Sequence, residues 1–189
     1  MKNIEIKVAV KSFKDIIASL KKIGACYKGK IKQIDTYYNN QKGRLKIREI
    51  NKKEAELIFY QRPNRKGLKI SDYQRTKLDI KSLNSLKKNL NQTLGESIIV
   101  KKTRDLWIYK NTRIHIDKVE NLGNFVELET VINDNKYNKF EKEYKKVLNA
   151  LSLMSFTIQS HSYSDLLMKS LGSKNHHLIK LHPKSAGLI

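Results

Sequence analysis

Strict alternation between charged and apolar residues is the feature of this sequence that most constrains its fold. In Arg44–Ile50, the charged residues Arg44, Lys46 and Arg48 alternate with leucine and isoleucine. Residues two apart on a β-strand lie on the same face, so this segment predicts a strand with one charged face and one apolar face. The same period recurs in Asn3–Val10, Arg113–Val119 and Phe125–Ile132. Together these segments predict an antiparallel sheet.

The remaining periodic segments predict how this sheet is completed and covered. Further strands are predicted at Tyr27–Asn39, Ala55–Gln61, Ser71–Lys77, Ile98–Thr103 and Leu106–Tyr109. Helical spacing of apolar residues predicts helices at Ser12–Ile23, Leu78–Leu94 and Lys136–Leu151. The short turns predict an α+β fold, a closed eight-stranded antiparallel β-barrel with helices packed outside. We expect one domain over residues 1–170 and a flexible C-terminal tail over residues 171–189, where the periodicity ends.

The chain is strongly basic, with 39 Lys and Arg residues against 18 Asp and Glu and a formal net charge of +21. This excess predicts an anionic partner, for which nucleic acid, acidic lipid and polyphosphate all qualify. The sequence contains no run of about 18 apolar residues, so no membrane partner is expected. Cys26 is the single cysteine and cannot form an internal disulfide. With a charged N-terminus that lacks a signal-peptide pattern, this predicts a cytoplasmic protein.

The charged face of the sheet is predicted to line an interior cavity. A face in contact with water would explain any one charged strand. However, three amphipathic helices would cover the apolar face and leave the charged face enclosed. Enclosed arginine needs an anion, and its guanidinium fork binds phosphate oxygens in pairs. Glu127 and Glu129, two residues apart on one strand, offer the oxygen ligands that Mg²⁺ or Mn²⁺ prefers.

Several blocks of the sequence resemble the CYTH superfamily. They are Asn3–Lys7, Asp35–Asn39, Gly43–Glu49, Glu56–Pro63, Ser71–Tyr73, Arg113–Glu129 and Ser162–Leu167. The resemblance covers the chain in order from Asn3 to Leu167. It is similar above all to the branch labelled class IV adenylate cyclase, which has thiamine triphosphatases and tripolyphosphatases as relatives. The resemblance implies a CYTH domain over residues 1–170 with an eight-stranded triphosphate tunnel.

The resemblance also implies roles for individual residues. The implied metal ligands are Glu5, Asp117, Glu127 and Glu129. The implied phosphate-binding residues are Lys7, Arg44, Lys46, Arg48, Arg62, Lys102, Arg104 and Arg113. Lys7, from the motif, and His115, from its residue type on an inward-facing strand, are the candidate catalytic residues, although a hydrogen-bonded structural role explains His115 equally well. The first acid of the family's N-terminal motif is Asn3 here, which weakens a two-metal hydrolytic mechanism because an amide is a poorer metal ligand.

These observations lead to one leading function and three alternatives. The leading hypothesis is an enzyme that binds a nucleoside triphosphate or inorganic polyphosphate with Mg²⁺ or Mn²⁺, as a class IV adenylate cyclase does when it converts ATP to cyclic AMP and pyrophosphate. The alternatives are a triphosphatase for tripolyphosphate or thiamine triphosphate, a non-catalytic nucleotide or polyphosphate sensor, and a basic RNA-binding barrel. The sequence contains no recognisable RNA-binding motif, so a nucleic-acid partner is not expected. A homodimer is compatible with the sequence.

Overall fold

The computed structural model describes residues 2–61, 72–132 and 137–180, which form an α+β fold. The strands are β1 (Lys2–Val10), β2 (Cys26–Tyr38), β3 (Arg44–Ile50), β4 (Glu54–Gln61), β5 (Asp72–Leu78), β6 (Glu96–Tyr109), β7 (Thr112–Val119), β8 (Gly123–Ile132) and β9 (Thr157–Ile158). The helices are α1 (Lys14–Lys22), α2 (Leu83–Leu94), α3 (Tyr137–Ala150) and α4 (Tyr163–Lys180), with a 3₁₀ turn at Leu153–Ser155.

All the strands belong to a single antiparallel sheet with the order β5-β4-β3-β2-β6-β7-β8-β1-β9. The long strands β2 and β6 pair at its centre and join the two halves of the chain. The predicted α+β fold with a large antiparallel sheet is confirmed. The closed eight-stranded barrel is not confirmed, because within the described ranges no hydrogen-bonded pairing joins the β5 edge to β1 or β9.

The sheet is curved, and its charged face is the concave one. Alternate residues from each of β1 to β8 line a common cavity on this face. On β3, for example, Lys46 and Arg48 line the cavity, whereas Ile47 between them is fully buried on the opposite side. On β3, the strand period of two therefore places these two charged residues inward and the isoleucine between them outward, as predicted.

Three helices cover the outer, apolar face of the sheet. Ile16 and Leu20 of α1 and Val147 of α3 pack with apolar residues of β1, β7 and β8. Leu83 of α2 packs with Ile47 and other residues of β2 to β4. The packing of these helices agrees with the prediction that helices lie outside the sheet.

Helix α4 is an exception to that prediction, because it packs on the concave side of the sheet. Tyr163 and Leu167 form a buried cluster with Tyr37, Phe125 and other residues that face the cavity side of the sheet. Two reciprocal hydrogen bonds cap the start of this helix. The Asp165 amide donates one of 3.2 Å to the Ser162 hydroxyl, and the Ser162 amide donates one of 3.0 Å to the Asp165 carboxylate. Residues 171–180, expected to be a tail, lie on this helix, and residues 181–189 lie outside the described residues.

Two further boundaries differ from the prediction. The segments Ile98–Thr103 and Leu106–Tyr109, predicted as two strands, form the continuous strand β6. Between them, Arg104 is hydrogen-bonded on one face of the sheet and Asp105 on the other, so neither lies in a turn. Helix α2 begins at Leu83 instead of Leu78, because Leu78 ends β5 and Asp79 accepts a turn hydrogen bond from the Lys81 amide. In the part of the chain that the structure describes, no helix is long and apolar enough to span a membrane.

Candidate active site

The cavity on the concave face has a volume of about 500 Å³ and brings together most of the predicted site residues. Those that line it are Lys7, Lys46, Arg48, Lys102, Arg104, Arg113, His115, Glu127 and Glu129. They come from strands β1, β3, β6, β7 and β8, which are distant in sequence, so the curvature of the sheet is what collects them. A cavity with this many cations can hold several anionic groups at once.

The antiparallel register sets the order of charges on the β1 side of the cavity. Lys7 of β1, Glu127 of β8 and His115 of β7 are direct neighbours across the three strands. In the next inward-facing row, Glu129 lies between Glu5 and Arg113. Each glutamate is thus flanked by a residue of β1 and a residue of β7, and the two glutamates are adjacent on the same face.

His115, Glu127 and Glu129 form a group that can hold a metal ion. One ligand atom from each of the three residues lies within 4.8 Å of the others. The Nδ1 atom of His115 is 3.5 Å from Glu127 Oε2 and 3.7 Å from Glu129 Oε1. Carboxylate and imidazole ligands fit Mn²⁺, and the carboxylates alone fit Mg²⁺. The donor set is therefore compatible with the predicted cofactors.

The charge of Glu127 is stabilised by cations on two sides. Its carboxylate lies 3.4 Å from Lys7 Nζ and accepts a hydrogen bond of 3.1 Å from Arg104. Burial raises the pKa of Glu127, but Lys7, His115 and Arg104 outweigh this effect and hold the pKa well below its ordinary value. Glu127 is therefore ionised at neutral pH, as a metal ligand must be.

Asp117 is fully buried and holds Arg104 in place. The Arg104 guanidinium donates hydrogen bonds of 2.7 and 2.6 Å to the two Asp117 oxygens, and the Tyr163 hydroxyl donates one of 3.0 Å. Lys102 Nζ lies 3.7 Å away. Burial raises the pKa of Asp117, but Arg104 and Lys102 reverse the effect and the net shift is strongly downward. The carboxylate is fully engaged by these partners.

Asp35 plays the same part on the other side of the cavity. Arg48 donates hydrogen bonds of 2.7 and 2.8 Å to its two oxygens, and Lys46 donates one of 2.8 Å. Burial raises the pKa of Asp35, yet the charges of Arg48 and Lys46 hold it well below the ordinary value. Sequence reasoning assigned no role to Asp35, although it begins the block Asp35–Asn39 that resembles the CYTH superfamily.

Lys102 is the cation whose charge the cavity disfavours. It is 7% exposed and lies opposite Gln33 of β2. Burial and the nearby charge of Arg104 lower the pKa of Lys102 to about 7, although Asp117 partly opposes them. An anion bound in the cavity would favour the protonated form.

The other predicted residues do not line the cavity. Glu5 is buried on β1 beside Glu129, and its charge raises the pKa of Tyr144 in addition to the larger effect of burial. Arg44 forms an ion pair of 2.8 Å with Asp165 at the start of α4. Asp117 lies behind Arg104, as described above. Arg62 lies outside the described residues.

Tyr163 and Arg75 also line the cavity, and the sequence analysis gave neither a role. The Tyr163 ring centroid lies 4.1 Å from Lys7 Nζ and 5.0 Å from Lys102 Nζ, so it contacts two of the predicted phosphate-binding lysines. The block Ser162–Leu167 was the available signal for Tyr163. Arg75 lies on β5 opposite Ile58, in a strand whose pattern is too irregular to assign a face.

A larger and more open groove of about 1020 Å³ borders the cavity at Gln33 and Lys102. Its charged lining consists mainly of exposed lysines such as Lys32, Lys101 and Lys118. Arginine pairs and clustered carboxylates are absent from the groove lining that the structure describes, so the chemistry is concentrated in the smaller cavity.

Comparisons with known proteins give a family match and several similar folds. The CYTH domain family model matches residues 1–163. A provisionally named adenylate cyclase of Methanocaldococcus jannaschii is 29% identical over 174 residues, covering 88% of this chain and 98% of the relative. A solved Pyrococcus horikoshii protein has a TM-score of 0.74 at 22% identity, covering 88% of this chain and 99% of its own. A provisionally named Hippeastrum adenylyl cyclase, described as having a dominant triphosphatase activity, has a TM-score of 0.62 at 11% identity, covering 91% and 96%.

Proposed function

We propose that this chain, which belongs to the CYTH domain family, is a metal-dependent enzyme that acts on a triphosphate. The observation that carries the proposal is the cavity itself, where Arg48, Lys46, Lys102 and Arg104 face the group formed by His115, Glu127 and Glu129. The negative charge of a triphosphate chain would be neutralised partly by these cations and partly by a divalent ion held by the carboxylates.

The proposed reaction is the conversion of ATP to cyclic AMP and pyrophosphate, as in class IV adenylate cyclases. The ribose 3′ oxygen forms a bond to the α-phosphorus, the bond from that phosphorus to the bridging β-phosphate oxygen breaks, and pyrophosphate leaves. The name of the Methanocaldococcus relative supports this assignment. Mg²⁺ or Mn²⁺ bound by Glu127 and Glu129 would supply charge neutralisation on the phosphate oxygens.

The residues of this chain would bind and orient the substrate. Arg48 and Arg104 each present a guanidinium fixed by two hydrogen bonds to a buried aspartate, so little side-chain freedom remains to be lost on binding. Lys7 would contact the leaving phosphates. His115 lines the cavity beside the two glutamates and is the proposed acceptor of the 3′ hydroxyl proton.

Hydrolysis of a triphosphate is the second candidate function. The same clamp would serve it, and the glutamates beside His115 could orient a water molecule as readily as a ribose hydroxyl. The activity described for the Hippeastrum protein is the additional reason to keep this candidate.

A product assay separates the two reactions. The protein is incubated with ATP, thiamine triphosphate or tripolyphosphate, each with Mg²⁺ and with Mn²⁺, and the products are separated by chromatography. We expect cyclic AMP and pyrophosphate from ATP. Orthophosphate from tripolyphosphate, without cyclic AMP from ATP, would make hydrolysis the leading candidate. If no substrate is turned over, only a non-catalytic binding function remains.

A further inference from the structure

Three aliphatic residues line the cavity without belonging to any apolar core. Ile31 of β2, Ile50 of β3 and Leu106 of β6 are half-buried and face the cavity. None of them packs in the described apolar clusters. The other aliphatic lining residue, Ile58, is 2% exposed and belongs to the core beside α4. Within the described ranges, the three side chains therefore have apolar surface that no packed cluster covers.

The strand register makes these residues neighbours. Ile50 lies directly opposite Gln33, and Ile31 is two residues from Gln33 on the same face of β2. Arg104 lies directly opposite Ile31, and Leu106 is two residues from Arg104 on the same face of β6. Diagonal neighbours at this spacing are within reach of long side chains. The three residues thus form an apolar strip across β3, β2 and β6.

Gln33 supplies a polar group at the centre of this strip. Its side chain is 6% exposed, and its Oε1 atom is buried without a hydrogen-bond partner among the described residues. A buried amide that is left unpaired costs free energy, and such a group discriminates strongly in favour of a ligand that can pair with it. Apolar walls around a single polar group are typical of a site for a small organic ring.

The strip adjoins the phosphate-binding side of the cavity. Arg104 lies opposite Ile31, and Lys102 lies opposite Gln33. His115 lies opposite Leu106. A triphosphate held by the cations would therefore place an attached organic group against the strip. Inorganic tripolyphosphate has no group that could cover it.

From this juxtaposition we propose that Ile31, Ile50, Leu106 and Gln33 form a subsite for a planar nitrogen heterocycle with an N–H donor, attached to the triphosphate. The inference rests on the proposed function, because it assumes that the phosphates occupy the cationic part of the cavity. It assigns organic triphosphates, rather than inorganic tripolyphosphate, as the substrate class.

Calorimetric titration with two ligands tests the subsite. ATP and tripolyphosphate are titrated in EDTA, which prevents turnover, into the wild type and into Leu106→Asn, Ile50→Asn and Gln33→Leu. We expect each variant to bind ATP about tenfold more weakly, with tripolyphosphate affinity within about twofold of wild type. Ile99→Asn is the matched control, because Ile99 is an exposed aliphatic residue on the same strand as Leu106 but faces outward. It should bind both ligands as the wild type does.

The outcomes separate failure of the subsite from failure of the proposed function. If the wild type binds neither ligand, the proposed function fails, and the subsite fails with it. If the wild type binds both and the variants keep their ATP affinity, the subsite is overturned alone. The subsite is also overturned if every variant loses affinity for both ligands equally. The strip would then maintain the shape of the cavity instead of binding an organic group.

Discussion

The wall of the cavity formed by β2 and β3 differs from the wall formed by β7 and β8 in what its carboxylates do. On the first wall, Asp35 is saturated by short hydrogen bonds from Arg48 and Lys46. On the second wall, Glu127 and Glu129 lie 3.5 and 3.7 Å from His115, and their oxygens converge on a common point. The first wall fixes cations for an anion. On the second wall, Arg104 contacts one oxygen of Glu127 and Arg113 contacts one oxygen of Glu129, which leaves ligand atoms for a metal.

Asp117 follows the pattern of the first wall although it lies on β7. The resemblance to the CYTH superfamily implied that Asp117 is a metal ligand, but the Asp117 oxygens accept hydrogen bonds from Arg104 and Tyr163. In this cavity, the carboxylates thus fall into two groups, and the difference is whether one guanidinium occupies both oxygens.

Removing the anchor on Arg104 should have the largest effect. Asp117→Asn removes the charge of the carboxylate that holds the buried Arg104 guanidinium by two short hydrogen bonds, and breaking a buried ion pair in this way costs about 3–5 kcal/mol of stability. Urea denaturation of the wild type and the variant measures the difference in the free energy of unfolding. A difference below about 1 kcal/mol, in the range of an exposed ion pair, would show that Asp117 is not the anchor.

Removing a charge from the metal group should affect activity more than stability. Glu129→Gln keeps the shape of the side chain but loses the charge that a hard cation prefers, so we expect turnover to fall by about a hundredfold or more while the fold is retained. Glu141→Gln, on the exposed side of α3, is the control and should be fully active. Turnover of Glu129→Gln within about tenfold of wild type would argue against a metal on this wall.

The two walls were not equally predictable from the sequence. Alternation alone places Arg48, Glu127 and Glu129 on an inward face, because a strand has a fixed period of two. The role of Asp35 could not be predicted, because it depends on which residue of β3 lies opposite it. Cross-strand register arises from the whole sheet, so the sequence indicates the facing of a residue but not its partner.

Helix α4 was missed for a related reason. The sequence predicted loss of periodicity after Leu167, but Ser162 and Asp165 cap a helix whose first turn buries Tyr163 in the concave face. The environment of this helix changes along its length, from a buried first turn to an exposed Leu171, so its apolar residues do not form one continuous stripe. A search for a single apolar stripe at helical spacing therefore does not detect it.

The pH dependence of anion binding tests the role of Lys102 in the cavity. The folded-state pKa of Lys102 is lowered to about 7. It follows that Lys102 loses its charge as the pH rises through about 7 and regains it when an anion binds. We expect tripolyphosphate to bind up to about tenfold more weakly at pH 8 than at pH 6.5, with uptake of protons on binding. Calorimetry in buffers of different ionisation enthalpy measures the uptake.

Lys102→Met serves as the control for that experiment, because it removes the titrating group and keeps the length of the side chain. The variant should bind more weakly than wild type at pH 6.5 and show less proton uptake at pH 8. Equal proton uptake by the two proteins would mean that another group titrates, and that Lys102 does not contribute to the anion site.

The smallest effect is expected at the start of β1. Asn3 alternates with Glu5 and Lys7, and replacing it by aspartate restores a carboxylate at the first position of the family motif. Asn3→Asp should raise triphosphate hydrolysis by a few fold, since an added carboxylate can orient water or a second ion, and cyclisation should respond less. Orthophosphate and cyclic AMP are measured in parallel. A larger increase in cyclic AMP than in orthophosphate would contradict this interpretation.

The melting temperature of the protein with and without tripolyphosphate tests whether the cavity binds a polyphosphate. An anion bound only by the folded state should stabilise that state by about 2.7 kcal/mol at a hundredfold excess over the dissociation constant. For a chain of this size, that corresponds to an increase of about 5–10 °C. No shift at millimolar tripolyphosphate would contradict the claim, because the cations of the cavity would then face water and not a substrate.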